Sequence, residues 1–157
     1  MVALIVAYAK NRVIGYKGQI PWKIKGEQKR FKELTTGNIV IMGRRSYEEI
    51  GHPLPNRITI VVSCTKNFDG DNCYTAKSLQ DAIIMAKEMN KKIYISGGAG
   101  LYAEAVKIVD KMYITEIDAT IFGDTFFPEF DESLFIKDIN ESYNADIPYT
   151  YVTYIRK

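Results

Sequence analysis

Five short apolar runs, separated by helix-patterned stretches, constrain the fold of this chain more than any other feature. They are VALIVAY (2–8), NIVIMG (38–43), ITIVVS (58–63), KIYIS (92–96) and KMYITEI (111–117). Most are rich in β-branched or aromatic residues, and their near-continuous apolarity is that of strands covered on both faces. Helical patterning is expected at about 25–35, 45–50, 78–89 and 100–108, so strands and helices alternate as in a mostly parallel α/β sheet. The tail departs from this order. LFIKDINESYN (134–144) and YTYVTYIRK (149–157) are two β-rich stretches with a short connection, which predicts a terminal hairpin added antiparallel to the sheet edge.

A chain of 157 residues is expected to form one domain with a sizeable core. Lys and Arg total 21 against 19 Asp and Glu, a net charge of +2, which gives no global reason for a nucleic-acid or anionic-membrane partner. Met1 to Ala9 has no cationic leader segment and is too short to span a bilayer, so it reads as a first strand. Cys64 and Cys73 are expected to stay reduced, in the cytoplasm. With one His and two separated Cys, no metal site is expected.

In IPWKIKGEQKRFKEL (20–34) the acid Glu27 stands among Lys23, Lys25, Lys29, Arg30 and Lys32. At helical spacing Ile24, Glu27, Phe31 and Leu34 share one stripe, while Lys25, Lys29 and Lys32 lie round the other side. An acid on an apolar stripe loses hydration, which raises its pKa unless a cation or several donors hold it ionised. Such a group exchanges a proton near neutral pH. The structural alternative is a surface ion pair with Arg30, three residues on.

YISGGAGLY (94–102) places Gly97, Gly98, Ala99 and Gly100 between a strand and a helix. Glycines there let a ligand approach the backbone, and a helix start offers free N–H groups to phosphate. The run lacks the third glycine of the GxGxxG fingerprint, and such turns also occur for purely structural reasons. IMGRRSYEEIG (41–51) is a second strand-to-helix junction, with Arg44 and Arg45 where a helix dipole disfavours cations. A phosphate partner would explain them. Ser46 with Glu49 reads as a capping box, the structural alternative. GHPLPNR (51–57) stiffens a loop that presents Arg57 as a carboxylate clamp, although by itself Arg57 reads as a surface residue and His52 as exposed. Trp22 by itself reads as packing.

In order along the chain, VIGYKGQIPW, Glu27 with Phe31, IVIMGRRSYEEIGHPLPNR, ISGGAGLY, YITEID and GDTFFP resemble dihydrofolate reductase over essentially the full chain. The resemblance implies a mostly parallel eight-stranded sheet with an antiparallel C-terminal edge strand and flanking helices. It implies NADPH-dependent reduction of 7,8-dihydrofolate to tetrahydrofolate, with hydride delivered to C6 of the pterin and a proton to N5, by a cytoplasmic monomer. Another reductase on the same scaffold, acting on a riboflavin-pathway pyrimidine or another pterin, shares the cofactor turn without needing Glu27. A non-catalytic nucleotide-binding module would bind NADPH without turnover.

The resemblance also implies roles by position. Glu27 is the pterin-pocket acid, Thr115 supports it through its hydroxyl and water, and Trp22 contacts ordered water beside it. Ile5, Val6, Ala7, Gln28, Phe31, Ile50 and Ser96 line the substrate site, and Arg57 binds the glutamate α-carboxylate. The cofactor is met by Ala7, Ile14, Gly15, Ile20, Gly43, Arg44, Arg45, Ser46, Val62, Ser63, Cys64, Lys66, Ser96, Gly97, Gly98, Ala99, Gly100, Leu101 and Tyr102, with Arg44 near the 2′-phosphate. NRVIGYKGQIPW is the mobile loop over the nicotinamide, with Gly15 and Gly18 as flex points. Glu27, Gln28 and Ser96 depart from the family's usual Asp, apolar and aliphatic or aromatic residues.

Overall fold

The computed structural model describes residues 1–17, 20–22 and 24–157; Gly18, Gln19, Lys23 and the side chain of Lys25 lie outside the described residues. The expected flex point Gly18 and, of the basic run, Lys23 and the Lys25 side chain therefore lie outside the described part. Every strand expected from an apolar run is present: β1 (Val2–Ala9), β3 (Ile39–Gly43), β4 (Ile58–Val62), β6 (Ile93–Ile95) and β7 (Lys111–Ile117). Four helices fall between them at the expected places: α1 (Lys25–Thr35), α2 (Arg44–Ile50), α3 (Leu79–Lys87) and α4 (Ala99–Ala105). The terminal hairpin is β9 (Phe135–Tyr143) with β10 (Tyr149–Arg156).

Three strands had no counterpart in the sequence reading: β2 (Val13–Gly15), β5 (Cys73–Ala76) and β8 (Thr125–Phe126). They are two to four residues long, too short for period-2 alternation to register. β2 and β8 pair with each other outside the main sheet.

Among the described residues, eight strands form one sheet in the order β5-β4-β3-β6-β1-β7-β10-β9. All neighbours are parallel except β7/β10 and β10/β9, so the expected mostly parallel sheet with an antiparallel C-terminal pair is observed. β10 inserts between β7 and β9, leaving β9 at the edge. Register shifts at Tyr151/Val152, where β9 carries Asn140 as an extra residue.

Alternate residues of each central strand serve opposite faces. Leu4, Val6, Ile39, Ile41 and Ile95 pack under α3 and α4 through Leu79, Ala82, Leu101 and Ala105. Ala3, Ile5 and Tyr94 pack under Phe31 and Leu34 of α1, and Val40, Met42 and Val61 under Tyr47 of α2. Burial on both faces explains the unbroken apolar runs. It also leaves a gap between α1 and α2 above the carboxyl ends of β1, β3 and β6, where open α/β sheets bind ligands.

Candidate active site

That gap is a cavity of about 500 Å³. Its floor is Ile5, Val6 and Ala7 of β1 with Met42 of β3; α1 supplies Glu27, Gln28 and Phe31; α2 supplies Ser46, Glu49 and Ile50, with Leu54 beyond it. Ser96, Gly97, Gly98, Ala99 and Tyr102 form a further wall, and Ile14, Gly15, Ile20, Trp22 and Thr125 complete the lining.

The stripe that placed Glu27 on an apolar face is realised: Ile24 is buried, and Phe31 and Leu34 pack against the sheet. Burial pushes the Glu27 carboxyl up to about 6. The expected structural alternative, an ion pair with Arg30, is not what α1 forms. Arg30 is itself buried on the sheet, donating to Ile114 O at 2.8 Å and Val152 O at 3.2 Å. Tyr102 is buried and donates to Ile5 O at 2.7 Å; burial, and then the charge on Glu27, push its phenol far above the usual range. Trp22 lines the cavity and is buried, and its indole N–H has no partner among the described residues, which leaves a donor for a ligand or water. Thr115 is buried on β7 opposite Ala7, on the sheet face that α1 covers, behind the lining rather than in it.

The glycine turn owes its shape to two demands. Gly97 has φ 108°, and a Cβ there would lie 3.1 Å from the Tyr102 ring. Gly97 O accepts the Gly43 N–H at 2.8 Å, which fixes the turn on the end of β3; a cis peptide bond joins Gly97 to Gly98. A Cβ on Gly98 would face Ser46 Oγ at 3.6 Å, so the bare backbone borders open space beside that hydroxyl.

Ser46 does not cap its helix. α2 begins at Arg44 with Gly43 in the cap position and no side-chain capping bond, so Ser46 sits in the first turn and lines the cavity. A side-chain N-cap is formed elsewhere, by Ser78 Oγ accepting from Asp81 N at the start of α3.

Arg44 is exposed and has a structural partner that the sequence reading missed. Its Nε donates to Glu48 Oε1 at 3.0 Å, one helical turn on, and its Nη1 to Thr65 Oγ1 at 3.1 Å. Lys66 reaches the same carboxylate at 3.5 Å, and its N–H donates to Ser63 Oγ. Two cations therefore share one acid and leave the patch positive, with Arg45 and Cys64 exposed nearby in sequence. Arg57, expected at the surface on its own account, is buried. It donates to Pro55 O at 3.0 Å and Thr35 Oγ1 at 3.1 Å, and burial lowers its pKa. No carboxylate lies within ion-pair reach of it among the described residues.

Of the residues expected at the site, Arg57, Thr115, Gly43, Arg44, Arg45, Val62, Ser63, Cys64, Lys66, Gly100 and Leu101 lie outside the cavity lining. Gly43, Arg44 and Arg45 stand at the β3–α2 junction and Val62, Ser63, Cys64 and Lys66 at and just beyond the end of β4, whereas Leu101 faces the core under α4. Met42, Glu49, Leu54 and Thr125 line the cavity without having been expected there. Met42 and Thr125 adjoin motif residues Gly43 and Asp124, so adjacency was the available signal.

The chain matches the sequence model of the family "Dihydrofolate reductase" over residues 1–156. It is 37% identical over 156 residues to dihydrofolate reductase type A13 of Escherichia coli, covering 99% of this chain and 94% of that protein. It is 38% identical over 133 residues to dihydrofolate reductase of Bacillus subtilis (strain 168), covering 85% and 79%. The solved dihydrofolate reductase from Enterococcus faecalis, complexed with NADP(H) and RAB-propyl, superposes with a TM-score of 0.91 at 34% identity, covering 99% of this chain and 96% of that one. The chain belongs to the dihydrofolate reductase family. In this family member the cavity lining holds Glu27, a half-buried acid, and the bare-backbone turn at Gly97 and Gly98, while the cations Arg44 and Lys66 lie outside that lining.

Proposed function

We propose that this chain reduces 7,8-dihydrofolate to 5,6,7,8-tetrahydrofolate with NADPH. The observation that carries the reading is Glu27, the half-buried acid on the wall of the cavity, whose carboxyl is pushed up to about 6 by desolvation. NADPH, when bound, supplies the hydride delivered to C6 of the pterin. Glu27 grips the 2-amino group and N3 side of the ring and, because burial favours its protonated form, promotes protonation at N5. Trp22 offers its indole N–H to the water beside the acid, and Thr115 backs the same carboxylate from β7.

The residues present fit the cofactor. Ala7, Ile14, Ile20 and Ser46 give flat or small walls for a planar ring, and the turn Gly97–Ala99 presents backbone at close range to a diphosphate. Arg44 and Lys66, sharing one acid, suit a 2′-phosphate. Phe31, Ile50 and Leu54, with Gln28 opposite, enclose the aminobenzoyl group of the substrate. Arg57, a buried guanidinium with unused donor capacity, takes the α-carboxylate of its glutamate.

We further infer one domain acting as a cytoplasmic monomer in one-carbon metabolism, without a nucleic-acid partner and open to antifolates that imitate the pterin. The net charge of +2 and the two free thiols, Cys64 and Cys73, support this reading. No described helix is long and apolar enough to cross a membrane. The test is loss of NADPH absorbance with dihydrofolate. Turnover is expected; NADPH binding without turnover of any pterin overturns the enzymatic reading, and turnover only of a pyrimidine substrate reassigns the reaction.

A further inference from the structure

Among the described residues, the first turn of α1, which carries Glu27, has no side-chain cap. Ile24 occupies the cap position and makes no side-chain capping bond. Yet this turn sets where the acid sits, and a carboxyl displaced by about 1 Å can cost two orders of magnitude in rate.

The turn is held from the sheet instead. Arg30, one turn along α1 from Glu27, donates through Nη1 to Ile114 O of β7 at 2.8 Å and through Nη2 to Val152 O of β10 at 3.2 Å. Longer contacts from Nη2 reach Asn140 Oδ1 at 3.4 Å and Thr153 Oγ1 at 3.5 Å. Asn140 is the extra residue of the β9 bulge, so the irregularity in the edge hairpin is what presents its side chain to the guanidinium. Tyr151 lies against the guanidinium at 4.6 Å and Tyr113 at 5.6 Å. Meanwhile the Tyr151 hydroxyl donates to Gly26 O, directly before Glu27, and the Tyr149 ring fills the space that a Cβ on Gly26 would need.

A buried guanidinium is an inefficient way to gain stability alone. Its desolvation is costly, and apolar replacements of buried charges are often neutral or stabilising. Arg30 has no carboxylate within ion-pair reach among the described residues. What its planar fork supplies is direction, since its donors address two strands at once.

We propose that Arg30, with Tyr151, is a positioning residue for the reduction: it anchors α1 on β7, β10 and the β9 bulge, and so fixes how deeply the Glu27 carboxyl sits in the cavity. This rests on the role proposed for Glu27. The other titratable groups lining that cavity are Glu49 from α2 and Tyr102 from α4; those around Arg30 are Tyr113 from β7, Tyr151 from β10 and Tyr143 from β9.

The test compares wild type with Arg30→Met, Tyr151→Phe and Glu27→Gln in the full chain, measuring the hydride-transfer rate against pH, NADPH affinity by fluorescence, and Tm. A loosened turn lets the carboxyl reach water, so the midpoint of the rate profile should fall toward the ordinary carboxyl range in Arg30→Met. Its rate at pH 7 should fall by about tenfold or more, with NADPH affinity held within about twofold. Tyr151→Phe, which leaves no unpaired buried charge and keeps the core shape, should move the midpoint the same way by less. A midpoint that rises instead means that Arg30 acts through its charge, and overturns positioning. If both variants change only Tm while Glu27→Gln abolishes the profile, Arg30 is structural and the proposal fails alone. If Glu27→Gln leaves the profile unmoved, the role of Glu27 fails and this proposal with it.

Discussion

The carboxylate of Asp124 accepts the main-chain N–H of Lys17 at 3.1 Å, while the Asp124 N–H donates to Gly15 O at 3.0 Å. One residue thereby clasps the segment whose Ile14 and Gly15 line the cavity to the strand that carries Thr125. The Lys17 N–H holds the Asp124 carboxyl below its usual range, so the clasp persists through the neutral range. Asp124→Ala removes the acceptor from an exposed loop without touching the core. Loss of one such bond should lower the hydride-transfer rate by roughly two- to tenfold with little change in Tm. Asp124→Asn, which keeps one carbonyl oxygen, should retain most of the rate in the same stopped-flow measurement.

Glu27 ties activity to stability in opposite directions. Its folded pKa of about 6 lies above the ordinary value of 4.5 because burial disfavours the charge. Below 4.5 it is protonated in folded and unfolded chains alike and costs nothing; as pH rises from 4.5, where the unfolded chain ionises, to about 6, stability is lost, and above 6 the folded state also carries the desolvated anion and the loss is complete. Glu27→Gln should therefore match wild type near pH 4 and exceed it at pH 8 by up to about 2 kcal/mol. Turnover at pH 7 should fall strongly while NADPH binding is kept. Denaturant unfolding at the two pH values checks the first part. Equal stability differences at both would show that burial does not set this pKa.

Arg57 should act on one end of the substrate only. Its Nε and Nη1 are committed to Pro55 O and Thr35 Oγ1, so the planar group is held in place before any carboxylate arrives. Arg57→Lys keeps the charge and loses the fork. The KM for dihydrofolate should rise by about ten- to a hundredfold at nearly constant kcat, the loss expected for one charge-assisted pairing. A dihydropterin without the glutamate tail should show no such change, and a parallel rise for both substrates would remove Arg57 from tail recognition.

The sheet was legible because its central strands are buried on both faces, which writes them as unbroken apolar runs such as NIVIMG and ITIVVS. β2, β5 and β8 were not, since two to four residues carry no periodicity. Glu27 was legible for a related reason: a helix stripe reports burial, and an acid on it stands out. Arg30 shows where stripe counting ends. It belongs to a basic run, and only the bulge at Asn140 and the carbonyls of β7 and β10, more than eighty residues away, make it a buried residue. Ser46 misled because the capping-box pattern does not say which residue starts the helix; Gly43 does. Leu54 became a lining residue through the path of the chain beyond α2, which no local pattern specifies, and Glu49 lines the cavity from the last turn of α2 itself.

Cofactor choice should rest on the shared acid Glu48. Arg44 and Lys66 both reach it, so a 2′-phosphate would meet one cation's worth of uncompensated charge. In Arg44→Ala, Lys66 keeps Glu48 to itself and the patch becomes neutral. NADPH affinity should then fall by about ten- to a hundredfold, the range for losing a hydrogen bond to a charged group, while NADH, with no 2′-phosphate, should shift by less than about twofold. Because the pair is exposed, Tm should stay nearly constant. Raising ionic strength should narrow the wild-type preference in the same direction, since screening acts on solvent-facing charges. Titrating both nucleotides by fluorescence at two salt concentrations separates these outcomes. Equal losses for NADPH and NADH would place Arg44 on the helix alone, as the partner of Glu48, and move 2′-phosphate recognition to Lys66 or Arg45.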